Sequence, residues 1–222
     1  MEPEVFTING SPFVWRVLLT LELKHASYTN HVFEMSKGEH KAADYLALNP
    51  RGKVPTLRDG AVVVAESLAI MAYLDRKIPE PPLFGQTAEE TGRIWKAVLD
   101  SALYLDPAAL RVVLPIFRDL VGDNAEDMKA AAQEVHAELA RMEETLAGGD
   151  WLEGDAISAA DIAAYPVIEV LQRAAGKDSA QPLALGFLPF DETYPAIEAW
   201  RRRFTGLPGY ERTFPPNWRE AA

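Results

Sequence analysis

Residues 54–67 read VPTLRDGAVVVAES, and this stretch decides the first half of the fold. Two short apolar runs flank Asp59-Gly60, and Asp-Gly between such runs is a hairpin signal. Pro55 stands where the first run tries to become a strand. Proline has no N–H to give a ladder, so it belongs at an edge, a bulge or a strand's first residue. The backbone of Val54 is thereby left free to bond something other than its own sheet. If the Val54–Pro55 bond is cis, the N–H and C=O of Val54 turn outward and can pair antiparallel with a peptide-like ligand, as in strand addition at a sheet edge.

Upstream of the hairpin, EVFTI (Glu4–Ile8) reads as a strand and NGSPF as a turn. WRVLLTLEL (Trp15–Leu23) has apolar residues at helical spacing, and YTNHVFEM (Tyr28–Met35) alternates like a second strand. This β-α-β order implies a parallel pair with a right-handed crossover. Downstream, ESLAIMAYLDRKI (Glu66–Ile78) is a helix, so the first domain reads βαβ, loop, ββα over residues 1–78. PEPPLFGQT (79–87) is a stiff proline linker.

From residue 88 to 222 the sequence turns alanine-rich and helical. One or two long helices cover residues 88–117, with Pro107 and Pro115 as breaks or kinks. A long amphipathic helix ends at Gly148-Gly149. A third apolar segment is interrupted at Pro166, and TYPAIEAWRRRFTGL forms the last helix. Arg201, Arg202 and Arg203 read as a solvated face. Ser158 and Asp161 form an S-x-x-D capping box, with Ile157 and Ile162 placed as its hydrophobic staple. The expected class is thus a small α/β domain followed by an all-α domain.

The chain has 222 residues, 48% of them hydrophobic and 25% charged, as in ordinary folded proteins. There is no cysteine, so disulfides, thiolate nucleophiles and cysteine metal sites are excluded. No apolar run approaches a membrane span, and the acidic start MEPEVFTING is unlike a signal peptide. Cytoplasmic residence is the expectation. The net charge is -11, concentrated after residue 86, which argues against nucleic acid as a partner. The near-neutral first half is the better place for a small anion. The histidines do not cluster at ligand spacing, so no metal site is expected.

Three stretches of the first half carry candidate chemistry. Ser11 precedes Pro12, and proline favours the first helical position, so Ser11 is the expected N-cap. A hydroxyl at a helix N-terminus can also hold a bound thiol ionised, and Arg16 one turn in adds positive charge. His40, Lys41 and Lys53 flank the turn NPRG. Glu66 and Ser67 end a strand and open a helix. A serine hydroxyl and amide there take a carboxylate and a neighbouring acid takes an ammonium, which suits an α-amino acid head group. Each stretch also has an ordinary structural reading: a cap, a solvated surface, a first-turn acid beside a cap.

Taken in order, these stretches resemble the cytosolic glutathione transferase superfamily over essentially the whole chain. SPFVWRV resembles the serine active-site segment of the phi, tau and zeta-type classes. GEHKAADYLALNPRGKVPTL resembles the phi-class glutathione loop and the superfamily's cis-proline, and AESLAIMAYL its Glu-Ser motif. WLEGDAISAADIAAYP resembles the family in the second half.

The resemblance implies a thioredoxin-like N-terminal domain, glutathione as co-substrate, and a cis Pro55 with Val54 holding the cysteinyl backbone. It implies Ser11 as the catalytic hydroxyl on the sulfur, Glu66 and Ser67 on the γ-glutamyl end, and His40, Lys41 and Lys53 facing the glycine carboxylate. Phe13 is counted among the glutathione contacts. Tyr104, Arg111 and Phe117 lie on the helix pair that lines the second-substrate pocket in this family. The implied function is a glutathione transferase that sets the thiolate on a small hydrophobic electrophile in detoxification, as a cytoplasmic homodimer. The alternatives are a glutathione-dependent isomerase or lyase, or a non-catalytic glutathione- or ligand-binding or regulatory protein on the same fold.

Overall fold

The computed structural model describes residues 2–219, which divide into two compact units: residues 2–83 with 206–219, and Phe84–Thr205. The first unit opens with strand β1 (Glu4–Thr7), helix α1 (Pro12–Leu23) and strand β2 (Thr29–Val32). A short helix α2 (Ala43–Leu48) leads to β3 (Thr56–Asp59) and β4 (Val62–Ala65), and α3 (Ser67–Lys77) follows. The sheet order is β2-β1-β3-β4, with β1 and β2 parallel and the other pairs antiparallel. Asp59 pairs with Val62, so the hairpin turns on Gly60-Ala61, with Gly60 at φ 62°. That left-handed conformation favours glycine.

One face of the sheet carries the core, in which Val5 and Leu57 cluster with Val17 and Leu21 of α1 and Ile70 and Leu74 of α3. The other face stacks Phe6 and Phe33 against Tyr45 of α2, with ring centroids 5.5 and 4.7 Å away. The strand expected over 28–35 is only four residues long. Its side chains are mostly exposed, so little burial holds the edge in register.

The second unit is helical: α4 (Ala88–Asp100), a π-helical segment (Ser101–Leu105), α5 (Asp106–Phe117), α6 (Val121–Ala147), α7 (Ala159–Ala175), a short α8 (Phe190–Thr193) and α9 (Pro195–Phe204). α4 begins with a full capping box between Thr87 and Glu90. The break expected near Pro107 is that π segment, with Pro107 in the first turn of α5, where its missing N–H is tolerated. Pro166, expected as an interruption, lies inside a continuous α7. Fourteen of the seventeen α7 residues are buried, and that packing outweighs a proline cost of ~3 kcal/mol.

Arg201 was expected to be solvated and is not. Its guanidinium is largely buried, bonds Glu169 at 2.6 Å and Glu198, and lies 5.3 Å over the Phe190 ring. Arg202 and Arg203 pair with Glu198 and Asp150 at the exposed side.

The last described residues form two short helices, α10 (Tyr210–Thr213) and α11 (Pro216–Arg219), which belong to the first unit. The expectation that everything from 88 to 222 is one helical domain is corrected here. The indole Nε1 of Trp15 donates to Thr213 Oγ1 at 2.9 Å, and Arg212 Nε donates to Glu22 at 3.1 Å. The rings of Phe214 and Trp218 pack edge-on to Trp15. Aromatic burial against α1 therefore fixes the tail to the sheet domain. The stretch read as a linker, 79–87, contains the division between the units. Its first half is tied down, because Lys24 Nζ bonds Asp75 at 2.5 Å and the carbonyls of Pro79 and Pro81.

Candidate active site

Sheet register gathers the candidate residues before any side chain is considered. Thr56 pairs with both Phe6 and Ala65. The C-terminal end of β1, the start of β3 and the end of β4 therefore share one end of the sheet. Ser11, Val54-Pro55 and Glu66-Ser67 all lie at that end, and α1 and α3 both begin there. Their N-termini supply unpaired backbone N–H groups and positive partial charge.

Ser11 is the N-cap of α1, with φ -81° and ψ 125°, and its Oγ accepts from Val14 N at 3.4 Å. Among the described residues the hydroxyl donates to nothing, so its proton is available to an acceptor outside the helix. Phe13 is half-buried with the guanidinium of Arg16 5.0 Å over its ring. Arg16 is itself buried. Behind Ser11, Gly10 has φ 82°, and an added Cβ would come within 2.9 Å of Asn217 Nδ2 and 3.1 Å of Trp218 Nε1. The tail thus backs the turn that leads into α1.

The Val54–Pro55 bond is cis. Neither the N–H nor the C=O of Val54 has a hydrogen-bond partner among the described residues. A half-buried backbone donor and acceptor left unpaired at the end of an inner strand match an extended peptide.

Glu66 holds φ 71° and ψ 119°, a left-handed conformation that a glutamate adopts only under constraint. Its exposed carboxylate and the hydroxyl of the buried Ser67 have no partner among the described residues. The strain places an acid directly before the helix N-terminus, next to a serine amide. A zwitterionic head group needs that pairing.

Gly52, at φ 57°, brings the basic residues together. An added Cβ would lie 2.8 Å from Lys41 Nζ and 2.9 Å from the His40 carbonyl. Lys53 is next in the chain and exposed. The Nδ1 atom of His40 is buried without a hydrogen-bond partner among the described residues.

The structure does not bring the second-half candidates into such a cluster. Tyr104 and Phe117 are exposed, on the π segment and at the end of α5. Arg111 is held by Asp127 at 3.1 Å and Glu134 at 2.7 Å, both on α6. Ser158 and Asp161 form the expected capping box at the start of α7.

Sequence reasoning missed Tyr45, Asn49 and Thr56, three buried polar residues under the Val54 loop. Asn49 Oδ1 accepts from Arg51 N at 3.2 Å, which is an Asx turn. The Asn-Pro dipeptide signals such a turn, whereas nothing local marks Tyr45.

The chain matches the family description "Glutathione S-transferase, N-terminal domain" over residues 10–77 and "Glutathione S-transferase, C-terminal domain" over residues 103–208. It is 34% identical over 167 residues to a glutathione S-transferase of Arabidopsis thaliana, covering 73% of this chain and 78% of that one. It is 30% identical over 180 residues to glutathione S-transferase 1 of Dianthus caryophyllus, covering 80% and 81%. The crystal structure of a glutathione S-transferase from the Antarctic clam Laternula elliptica superposes with a TM-score of 0.84 at 28% identity, covering 99% of this chain and 95% of that one. With both family domains matched in order and relatives aligned along most of its length, this chain belongs to the glutathione S-transferase family.

Proposed function

We propose that this chain is a glutathione transferase that binds glutathione across the end of the sheet formed by β1, β3 and β4 and sets its thiolate on a small hydrophobic electrophile. The unpaired backbone of Val54 carries the reading, since it offers one donor and one acceptor to the cysteinyl residue of an extended tripeptide. Glu66 takes the γ-glutamyl ammonium, and the hydroxyl and amide of Ser67 at the start of α3 take its carboxylate. His40, Lys41 and Lys53 face the glycine carboxylate, and Phe13 lies among the contacts.

Ser11 is then the catalytic residue. Its free O–H donates to the sulfur, and the N-terminus of α1 favours the anion over the thiol. Each unit by which the thiol pKa falls is ~1.4 kcal/mol of preference for the thiolate. The proton leaves to solvent. The sulfur pair then forms a C–S bond while a halide departs or an activated double bond takes up the electrons. The electrophile is assigned to the helical unit, where Tyr104 and Phe117 offer exposed aromatic surface. Arg111 is committed to Asp127 and Glu134 and is the weakest of the three candidates. The protein acts in the cytoplasm, in detoxification, as a homodimer.

The test is Ser11→Ala with a chloronitroarene and glutathione as substrates. Loss of a donor to a developing or full anion costs ~10²-fold in turnover, and glutathione affinity stays within about threefold because the other contacts remain. Unchanged turnover would remove Ser11 from the chemistry.

A further inference from the structure

Tyr45, Asn49 and Thr56 form a buried polar network that converges on the carbonyl of Lys53. Tyr45 Oη lies 2.5 Å and Asn49 Nδ2 2.8 Å from that oxygen. The same two groups lie 2.8 and 3.1 Å from Thr56 Oγ1. The donor roles are forced. A carbonyl only accepts, so the Tyr45 hydroxyl donates to Lys53, and Thr56 must donate to Tyr45. The two amide hydrogens of Asn49 go to Lys53 O and Thr56 Oγ1, while its Oδ1 takes Arg51 N. All three side chains are buried, and burial pushes the Tyr45 phenol pKa up, which favours the protonated, donating form.

The Lys53 carbonyl and the Val54 N–H belong to one peptide plane. Two hydrogen bonds arriving at the oxygen from a helix and a loop fix the tilt of that plane. They thereby fix the direction of the N–H at its other end. They also polarise the group, which strengthens the N–H as a donor. The N–H so held has no partner among the described residues.

We propose that Tyr45 and Asn49 are positioning residues for glutathione, acting through the Lys53–Val54 peptide to aim the Val54 N–H at the cysteinyl carbonyl of the tripeptide. The inference rests on the proposed function, because it gives that site's central contact its orientation. It assigns the two residues to affinity for the peptide and not to ionisation of the thiol, which stays with Ser11.

Tyr45→Phe keeps the ring that packs on Phe6 and Phe33 and removes only the hydroxyl. Tyr73→Phe is the control, because it also deletes one buried-side phenol bond of this unit, to Asp59 at 2.7 Å, at the far end of the hairpin. Calorimetric titration with glutathione is read beside the thiolate absorption of the saturated complex and the kcat at saturation. Tyr45→Phe is expected to raise the Kd about tenfold, with the thiolate fraction at saturation and kcat within about twofold of the parent. Tyr73→Phe is expected to leave all three unchanged. Asn49→Asp, which turns a donor into an acceptor facing the Lys53 oxygen, is expected to weaken binding further and provides the same readout if Tyr45→Phe does not fold.

A Kd within twofold of the parent in both variants overturns the inference and leaves the proposed function standing. A thiolate fraction that falls along with affinity also overturns it, since the network would then act on the sulfur. A parent protein that does not bind millimolar glutathione overturns the proposed function, and the inference with it.

Discussion

Replacing Asp161 by alanine removes one carboxylate that serves four donors. Its Oδ1 accepts from Leu152 N and Trp200 Nε1, and its Oδ2 from Ser158 N and Ser158 Oγ, all at 2.9 Å. The side chain is fully buried. Loss of the cap costs ~1 kcal/mol. The amide of Leu152 and the indole of Trp200 are left as buried donors, at ~1–3 kcal/mol each. Burial pushes the Asp161 carboxyl pKa up against the pull of its donors, so deleting it relieves some desolvation. The net loss is about 3 kcal/mol, a large part of a domain's stability. Asp161→Asn retains one accepting oxygen and should lose about half as much. The assay is urea unfolding followed by tryptophan fluorescence, with glutathione affinity measured below the transition. Because Asp161 and its three partner residues all lie in the helical unit, affinity should stay at the parent value. A midpoint shift worth under 1 kcal/mol, or lost affinity with an unmoved midpoint, would refute the reasoning.

The Glu4 carboxyl is held at about 2, first by its hydrogen bond from Arg58 and then by that from His31. The folded value lies below the ordinary 4.5, so the contribution is complete at neutral pH and is lost as pH falls from about 4.5 to 2. Arg58→Met should therefore flatten the acid unfolding limb in that window, and an unchanged limb followed by circular dichroism would sink the assignment. Gly209 has φ 73°, and a Cβ there would overlap the Glu22 carboxylate that receives Arg212. Gly209→Ala should cost about 2 kcal/mol and expose the tail to limited proteolysis; wild-type resistance would contradict the tail's role in the first unit.

The sheet domain was legible because its signals are local. Asp59-Gly60 marks a two-residue hairpin, and the run from Trp15 to Leu23 has helical period. The candidate site was read for a different reason: Pro55 stands where a strand tries to start, and an acid beside a serine ends one strand and opens a helix. The φ of 71° that Glu66 adopts has no signal in the sequence. What local reading missed is tertiary. Pro166 survives in a helix because buried packing holds it, and Arg201 turns inward to Glu169, 32 positions away. The tail's two four-residue helices are too short to show a period, and their anchor, Trp15, lies 198 residues earlier than Thr213. Tyr45 looks like any apolar residue of a short helix until Lys53 and Thr56 are seen beside it.

The most direct test of the central claim is titration of the intact protein with glutathione at neutral pH, with an ultraviolet difference spectrum recorded at each addition. The account predicts saturable binding with a thiolate band that grows in step with occupancy, and Ser11→Ala binding with that band lost. Binding without the band in the parent protein, or no binding at millimolar glutathione, would contradict it.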